Sequence, residues 1–216
     1  MIDGVAVSFE AMKWDDVPRV MEIERRSFSL PWSSNTYRHE LLENANGHYY
    51  VLQRRTPERN SQRRGWLARL TRPRAPDASI VGYGGFWCIA DEAHISTIAV
   101  EPEWRGRGLG EYLLASLIEQ AVALGARQVT LEVRESNRVA QSLYRKYGFR
   151  VTGHRPRYYQ DNQENAFIMG VDGVGSEAYR GTFTQLTRDL SMRLVCFKSC
   201  LPMRYPYEAT SCLSMP

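Results

Sequence analysis

His94-Ile-Ser-Thr-Ile-Ala-Val100, Arg105-Gly-Arg-Gly-Leu-Gly110, Gln128-Val-Thr-Leu-Glu-Val133 and Asn137-Arg-Val-Ala-Gln-Ser-Leu-Tyr144 follow one another between His94 and Phe149. The first and third segments read as strands, with Val129, Leu131 and Val133 alternating against Thr130, Glu132 and Arg134. Behind Gly108, the residues Leu109, Leu113, Leu114, Leu117, Ile118, Ala121 and Leu124 recur at helical spacing on one face until Gly125 stops them. Asn137 caps a further helix with Ala140, Leu143, Tyr144 and Tyr147 on one stripe, ended by Gly148. Strand, helix, strand, helix in that order predicts an α/β fold whose sheet is partly parallel and has helices packed on it.

Outward from this unit, Val5 to Phe9 alternates as a first strand, and Asp15-Asp-Val-Pro18 reads as a helix start with Pro in the first turn. Ser27-Phe-Ser-Leu-Pro-Trp-Ser33 breaks that helix, because Pro31 disfavours a helical Leu30. Ser33 or Ser34 then caps a second helix reaching Leu41 and Leu42. His48 to Gln53 and Ile80 to Ile89 read as strands, the latter twisted or bulged at Gly82, Gly84 and Gly85. Phe149 to Thr152 and Ala166 to Met169 read as closing strands. Thr56 to Ala78 has no period and is expected to be an insertion, with a short helix around Trp66, Leu67 and Leu70. Past Gly170 the periodicity weakens, leaving a weak helix over Phe183 to Cys196, and Pro202, Pro206 and Pro216 appear. The expected organisation is one domain over 1–171, an arginine-rich insertion at 54–78, and a poorly packed tail over 172–216.

A chain of 216 residues with 43% hydrophobic and 24% charged residues has room for one full core. No apolar run approaches the roughly 20 residues that cross a bilayer, and Met1-Ile-Asp-Gly lacks a basic signal start. A cytoplasmic protein with no membrane partner is expected, and a monomer. The net charge of +4 is mild, but Arg54, Arg55, Arg59, Arg63, Arg64, Arg69, Arg72 and Arg74 cluster in the insertion. That cluster reads either as a solvated loop or as a ribosome or RNA contact. Cys196, Cys200 and Cys212 have no zinc spacing, Cys88 lies in an apolar strand, and the four histidines form no H-E-x-x-H, so no metal is expected.

Arg105-x-x-Gly108-x-Gly110 at a strand-to-helix junction is a phosphate cradle in physical terms. Its glycines let backbone N–H groups approach an anion, and the helix N-terminus adds about half a positive charge. Arg105 and Arg107 strengthen that field. No Gly-Lys-Ser/Thr follows, and Glu111 stands where a dinucleotide fingerprint would need glycine. A plain tight turn remains the alternative on this motif alone.

Ile98-Ala-Val100, the cradle, Leu131-Glu-Val133 and Asn137-x-x-Ala140-x-x-Leu143-Tyr144-x-x-x-Gly148-Phe149 together resemble the GNAT acetyltransferase superfamily. Within it, Phe28-x-x-Pro31-Trp32-Ser33, Glu132-Val-Arg-x-Ser-Asn137 and Arg157-Tyr-Tyr159 resemble the RimI branch, which acetylates the N-terminal alanine of ribosomal protein S18. The resemblance covers about Val5 to Val171. It implies a mixed, mostly antiparallel twisted sheet with a splayed parallel central pair and flanking helices, and acetyl-CoA as the donor. Ile98, Ala99 and Val100 would pair with the pantetheine like an added strand. Gly106, Arg107, Gly108, Leu109, Gly110 and Glu111 would take the pyrophosphate, and Asn137 would reach the coenzyme while also serving as a helix cap.

The resemblance assigns Glu132 as the base, through water, and Tyr144 as the acid for the departing thiolate. An α-amine with a reference pKa of about 7.7 to 8.0 needs only modest help to lose its proton. No Gly-x-Ser-x-Gly elbow and no cysteine near a motif appear, so direct transfer in a ternary complex is expected. Ionisation of the two groups implies a bell-shaped pH profile. Pro31, Trp32, Tyr158 and Tyr159 would line the groove for the acceptor, a peptide with the S18 N-terminus or one like it. Glu24 reads either as a partner for a basic residue early in the substrate or, the preferred reading, as an ordinary exposed helix charge. Two alternatives stay open: an acceptor that is another protein N-terminus, a lysine or a small amine, and a ribosome- or RNA-binding protein on the same scaffold.

Overall fold

Among the described residues, seven strands share one sheet in the order β1-β2-β3-β4-β5-β7-β6. They are β1 Ala6–Ala11, β2 Gly47–Arg55, β3 Ile80–Ile89, β4 Glu92–Val100, β5 Gln128–Arg134, β6 Arg150–Tyr159 and β7 Glu164–Asp172. The helices are α1 Val17–Ser27, α2 Ser34–Leu42, α3 Leu109–Ala123, α4 Arg138–Lys146 and α5 Glu177–Val195. This computed structural model describes residues 6–55 and 80–195. The insertion after Arg55, with its expected short helix and most of its arginines, lies outside the described residues, as do Cys196, Cys200 and Cys212.

Every neighbouring pair is antiparallel except β4 and β5, which run parallel. A parallel pair needs a long crossover, and α3 supplies it. The β4–β5 ladder is short, running only from Glu92↔Gln128 to Ile95↔Leu131. Past Ile95 the two strands separate, while β4 stays paired with β3 as far as Val100. The sheet is therefore split at its middle, and the edge of β4 from Ser96 onward has no ladder partner on the β5 side.

Two cores flank the sheet. The larger joins α3, α4 and α5 to the strands through Leu113, Leu114, Leu117, Tyr147, Phe149 and Val129, all fully buried. The smaller packs α1 and α2 through Val20, Ile23 and Tyr37 against Val51 and Tyr83. The helical stripe expected on α3 is buried except Leu124, which is exposed just past the helix end. Ser33 caps α2 by accepting from Thr36 N–H at 3.1 Å. The Asp16 carboxylate turns back to accept from Lys13 N–H at 2.8 Å and does not cap α1. Gly85 is required by close approach: a Cβ there would lie 2.1 Å from the Tyr49 ring, which crosses it at the bulge of β3.

The expectation of a poorly packed tail from residue 172 fails for α5. Its stripe of Phe183, Leu186, Leu190 and Leu194 packs on the larger core. Phe183 stacks on Tyr179 at 5.8 Å and meets Tyr147 edge-on at 6.0 Å, and Tyr179 Oη donates to the Tyr147 carbonyl at 3.1 Å. Prolines beyond the helix hid this, since the stripe at residues 183, 186, 190 and 194 is an ordinary amphipathic one. Phe183→Ala is expected to cost about 3 kcal/mol, the low end for a buried Phe. Urea unfolding followed by circular dichroism would read it as a lower midpoint. An unchanged midpoint would mean that α5 is not part of the cooperative unit.

Candidate active site

A cleft of about 630 Å³ opens where β4 and β5 part, with Ile95 to Ile98 on one wall and Leu131 to Arg134 on the other. Asn137 and Tyr144 of α4 close one side. The α1–α2 loop and the β6–β7 hairpin close the other, through Phe28, Leu30, Trp32, Tyr158 and Tyr159. Of the residues predicted for the acceptor, Pro31 does not line the cleft, while Trp32, Tyr158 and Tyr159 do. Trp32 also anchors its loop, with its ring 5.5 Å from Tyr37 and 6.1 Å from Tyr49.

Glu132 is the first β5 residue beyond the paired part of the ladder, so strand alternation carries its side chain to the face it shares with Thr130 and Arg134. Its side chain is 8% exposed and has two nitrogen partners: His94 Nε2 at 3.0 Å on Oε2 and the Arg155 guanidinium Nε at 3.1 Å on Oε1. Burial by itself would raise its pKa, but His94 and Arg155 outweigh this and hold it below the ordinary carboxylate range. Glu132 is thus ionised at neutral pH. Tyr144 is 6% exposed, and burial, with Tyr159 adding to it, pushes its phenol well above the usual value. A group so placed keeps its proton and can only donate it.

At the cradle, Gly106 and Gly108 hold φ of +73° and +81°, which side chains rarely adopt. Gly108 is the N-cap of α3 with no side-chain cap, and the first intrahelical bond runs from Tyr112 N–H to the Gly108 carbonyl. The N–H groups of Leu109, Gly110 and Glu111 have no intrahelical acceptor, which suits an anion. Open space lies beyond Gly106. The Asn137 side-chain oxygen accepts from Ala140 N–H at 3.1 Å, and the residue lines the cleft. Capping therefore occupies its oxygen and leaves its amide N–H groups unspent on the cap.

The side chains around the cradle do other work. Arg105 donates to the Val100 carbonyl and to Ser27 Oγ, both at 2.9 Å, so it straps α1 to the end of β4. Arg107 lies over the Trp104 ring at 4.8 Å, with Arg54 at 5.1 Å from the same ring. Glu111 turns inward to Lys146 Nζ at 2.5 Å and Arg193 at 2.8 Å, with Tyr147 Oη donating to it at 3.1 Å. Burial would raise the Glu111 pKa, yet Lys146 and Arg193 hold it below the usual value. Only the Glu111 backbone faces the cradle's task; its carboxylate ties α3 to α4 and α5.

Glu24 corrects the sequence reading. It is 1% exposed, lines the cleft and accepts from Tyr37 Oη at 2.8 Å, while burial raises its pKa. The acceptor side is closed by contacts that single-sequence reasoning missed. Ser29 Oγ donates to Asp161, and Arg134 reaches Asp161 at 2.8 Å and Glu164 at 3.0 Å while lying 3.8 Å from the centre of the Tyr159 ring. Among the described residues, no group of three or more His, Cys, Asp or Glu side chains is arranged to hold a metal ion, and no helix is long and apolar enough to cross a membrane.

With a sheet split after a short parallel ladder and a glycine cradle at the next helix, the chain is by its family an acetyl-transferring enzyme. The chain belongs to the Acetyltransferase (GNAT) family, whose model matches residues 17–149. It is similar to a Bacillus subtilis protein provisionally named [ribosomal protein bS18]-alanine N-acetyltransferase, at 40% identity over 160 residues, covering 74% of this chain and 91% of that one. It is also similar to the crystal structure of the ribosomal-protein-S18-alanine N-acetyltransferase from Escherichia coli, with TM-score 0.62 and 26% identity over 78% of this chain and 94% of that one. The fold alone is shared with Arabidopsis thaliana NAA60 in complex with acetyl-CoA, with TM-score 0.61 and 15% identity, covering 77% of this chain and 98% of that one.

Proposed function

We propose that this chain moves the acetyl group of acetyl-CoA onto the N-terminal alanine amine of ribosomal protein S18, by direct transfer with both substrates in one cleft. The observation that carries this is the meeting of Glu132 and Tyr144 on the walls of the split between β4 and β5, with the acceptor loops at its outer side. The similarity to the S18-alanine acetyltransferases of Bacillus subtilis and Escherichia coli supports the choice of acceptor.

The donor fits what the residues offer. The unpaired edge of β4 at Ile98, Ala99 and Val100 accepts an extended amide chain as an added strand. The N–H groups of Leu109, Gly110 and Glu111, with the α3 dipole behind them, suit a pyrophosphate. Acetyl-CoA supplies a thioester, an activated acyl group that needs only a neutral amine and a proton for its thiolate. Glu132 takes the amine's proton, and Tyr144 provides the thiolate's.

Mass spectrometry of peptides incubated with acetyl-CoA tests the acceptor. A peptide beginning with the S18 N-terminal alanine is expected to be acetylated faster than lysine peptides with blocked N-termini or polyamines. Faster modification of a lysine or polyamine would overturn the S18 assignment while leaving the enzyme class intact.

A further inference from the structure

A hydrogen-bonded chain runs from Glu132 away from the cleft along the paired half of β4 and β5. His94 Nε2 lies 3.0 Å from Glu132 Oε2, and His94 Nδ1 lies 3.0 Å from Thr130 Oγ1, its register partner across the parallel ladder. Thr130 Oγ1 donates to Glu92 Oε1 at 2.7 Å. Glu92 is exposed at the start of β4. The split of the sheet thus divides one sheet face in two: substrates in the opened half, this chain of polar groups in the closed half.

The donors and acceptors fix the proton positions. The Thr130 hydroxyl has one proton and gives it to Glu92, so it accepts from His94, which requires Nδ1–H. The Nε2···Oε2 contact then holds one further proton between His94 and Glu132. Other groups facing this pair are Arg155, Tyr158 and Tyr159 from β6 on the side of Glu132, and the Trp87 ring from β3, stacked 5.8 Å from His94. Trp87 Nε1 in turn donates to Glu40 at 2.8 Å. His94 keeps 28% of its side chain exposed.

We propose that His94 carries the proton released by the acceptor ammonium from Glu132 to solvent, through Thr130 and Glu92 or directly at its exposed ring edge. This rests on the reading of Glu132 as the group that deprotonates the amine. The balance is complete: an ammonium plus the thioester gives an amide, a thiol and one proton. The C–N bond forms and the C–S bond breaks. One N–H proton leaves along the relay. The second replaces the proton that Tyr144 gives to the thiolate. Glu132 needs such an outlet, since a carboxylate that its contacts with His94 and Arg155 hold below the ordinary range does not retain a proton at neutral pH. His94 is therefore a positioning and proton-carrying residue that acts through Glu132 and does not touch the substrate.

The test compares His94→Gln with the unaltered enzyme and with Glu132→Gln, between pH 6 and pH 9. A Gln amide can donate to Glu132 where Nε2 does but cannot carry a proton. For His94→Gln, kcat at pH 7 should fall about tenfold, with the KM for acetyl-CoA within about twofold. The loss should shrink to under about twofold near pH 9, where an α-amine of pKa about 8 is already neutral. Thr130→Val, nearly isosteric, should show the same pH-dependent pattern at about threefold, and added imidazole should restore His94→Ala. Unchanged rates in His94→Gln with a crippled Glu132→Gln would overturn the relay alone, as would a loss equal at pH 7 and pH 9. If Glu132→Gln is also fully active, the underlying assignment of Glu132 falls instead.

Discussion

Glu132→Gln is expected to lower kcat by about 10²- to 10³-fold, within the usual range for removing a general base, while the KM for acetyl-CoA changes by less than about threefold. The substitution keeps shape and removes charge and basicity. Its effect is confined to the amine end, because the cradle from Gly106 to Glu111 belongs to a different element and Glu132 contributes nothing to it. His94 and Arg155 both lose the anion they face, so the variant also places two donors around a neutral amide. Steady-state kinetics with an Ala-initiated peptide, together with equilibrium binding of acetyl-CoA, separate the two terms. A variant with full turnover, or one whose loss is all in coenzyme binding, would remove Glu132 from the chemistry.

Tyr144→Phe is expected to lower kcat by about 10²-fold, again with little change in coenzyme affinity. The hydroxyl is the only group removed, and the ring contact with Phe149 at 5.8 Å survives in the variant. Burial moves its ionisation well above the usual value, so the phenol stays a donor throughout the accessible pH range. That alters the bell-shaped profile expected from the sequence. The unaltered enzyme should rise with pH as the amine loses its proton and then stay flat to about pH 10, the reference value for tyrosine. An alkaline fall in the unaltered enzyme that disappears in Tyr144→Phe would show instead that the phenol titrates within reach. Full activity in the variant would pass the role of acid to another donor.

Much of the fold was legible because its signals are local. Alternation in β4 and β5, the leucine stripe of α3 and the caps at Ser33 and Asn137 each depend on a few neighbouring residues, and the structure places each element within a few residues of its expected bounds. The ends of β6 and β7 were less legible. Both strands run well beyond Thr152 and Met169, since their pairing, not their hydrophobicity, extends them. The helix α5 was legible as a weak helix over Phe183 to Cys196, shorter than the observed Glu177–Val195, while its packing was hidden by the prolines beyond it. Its packing rests on Tyr147, Glu111 and the close approach at Gly108, which lie far away in sequence.

The candidate site divides along the same line. Sequence by itself picked out the Gly106 to Glu111 turn that is proposed as the phosphate cradle, because positive φ at Gly106 and Gly108 is a property of glycine in a tight turn. Strand alternation and helical spacing put Glu132 on a strand face and Tyr144 on a helix stripe, and the family resemblance, not the spacing, implied that both serve one site. Only the tertiary structure decided what surrounds them. Arg105, Arg107 and Glu111 were all counted toward the anion, yet Arg105 straps α1, Arg107 covers Trp104 and the Glu111 carboxylate holds α4 and α5. Glu24, on a helix with charged neighbours, is among the most buried carboxylates of the described residues. His94 matched no motif and became the partner of Glu132 because a parallel ladder set it opposite Thr130. A side chain's partners are fixed by register and packing between segments distant in the chain, and a single sequence carries neither.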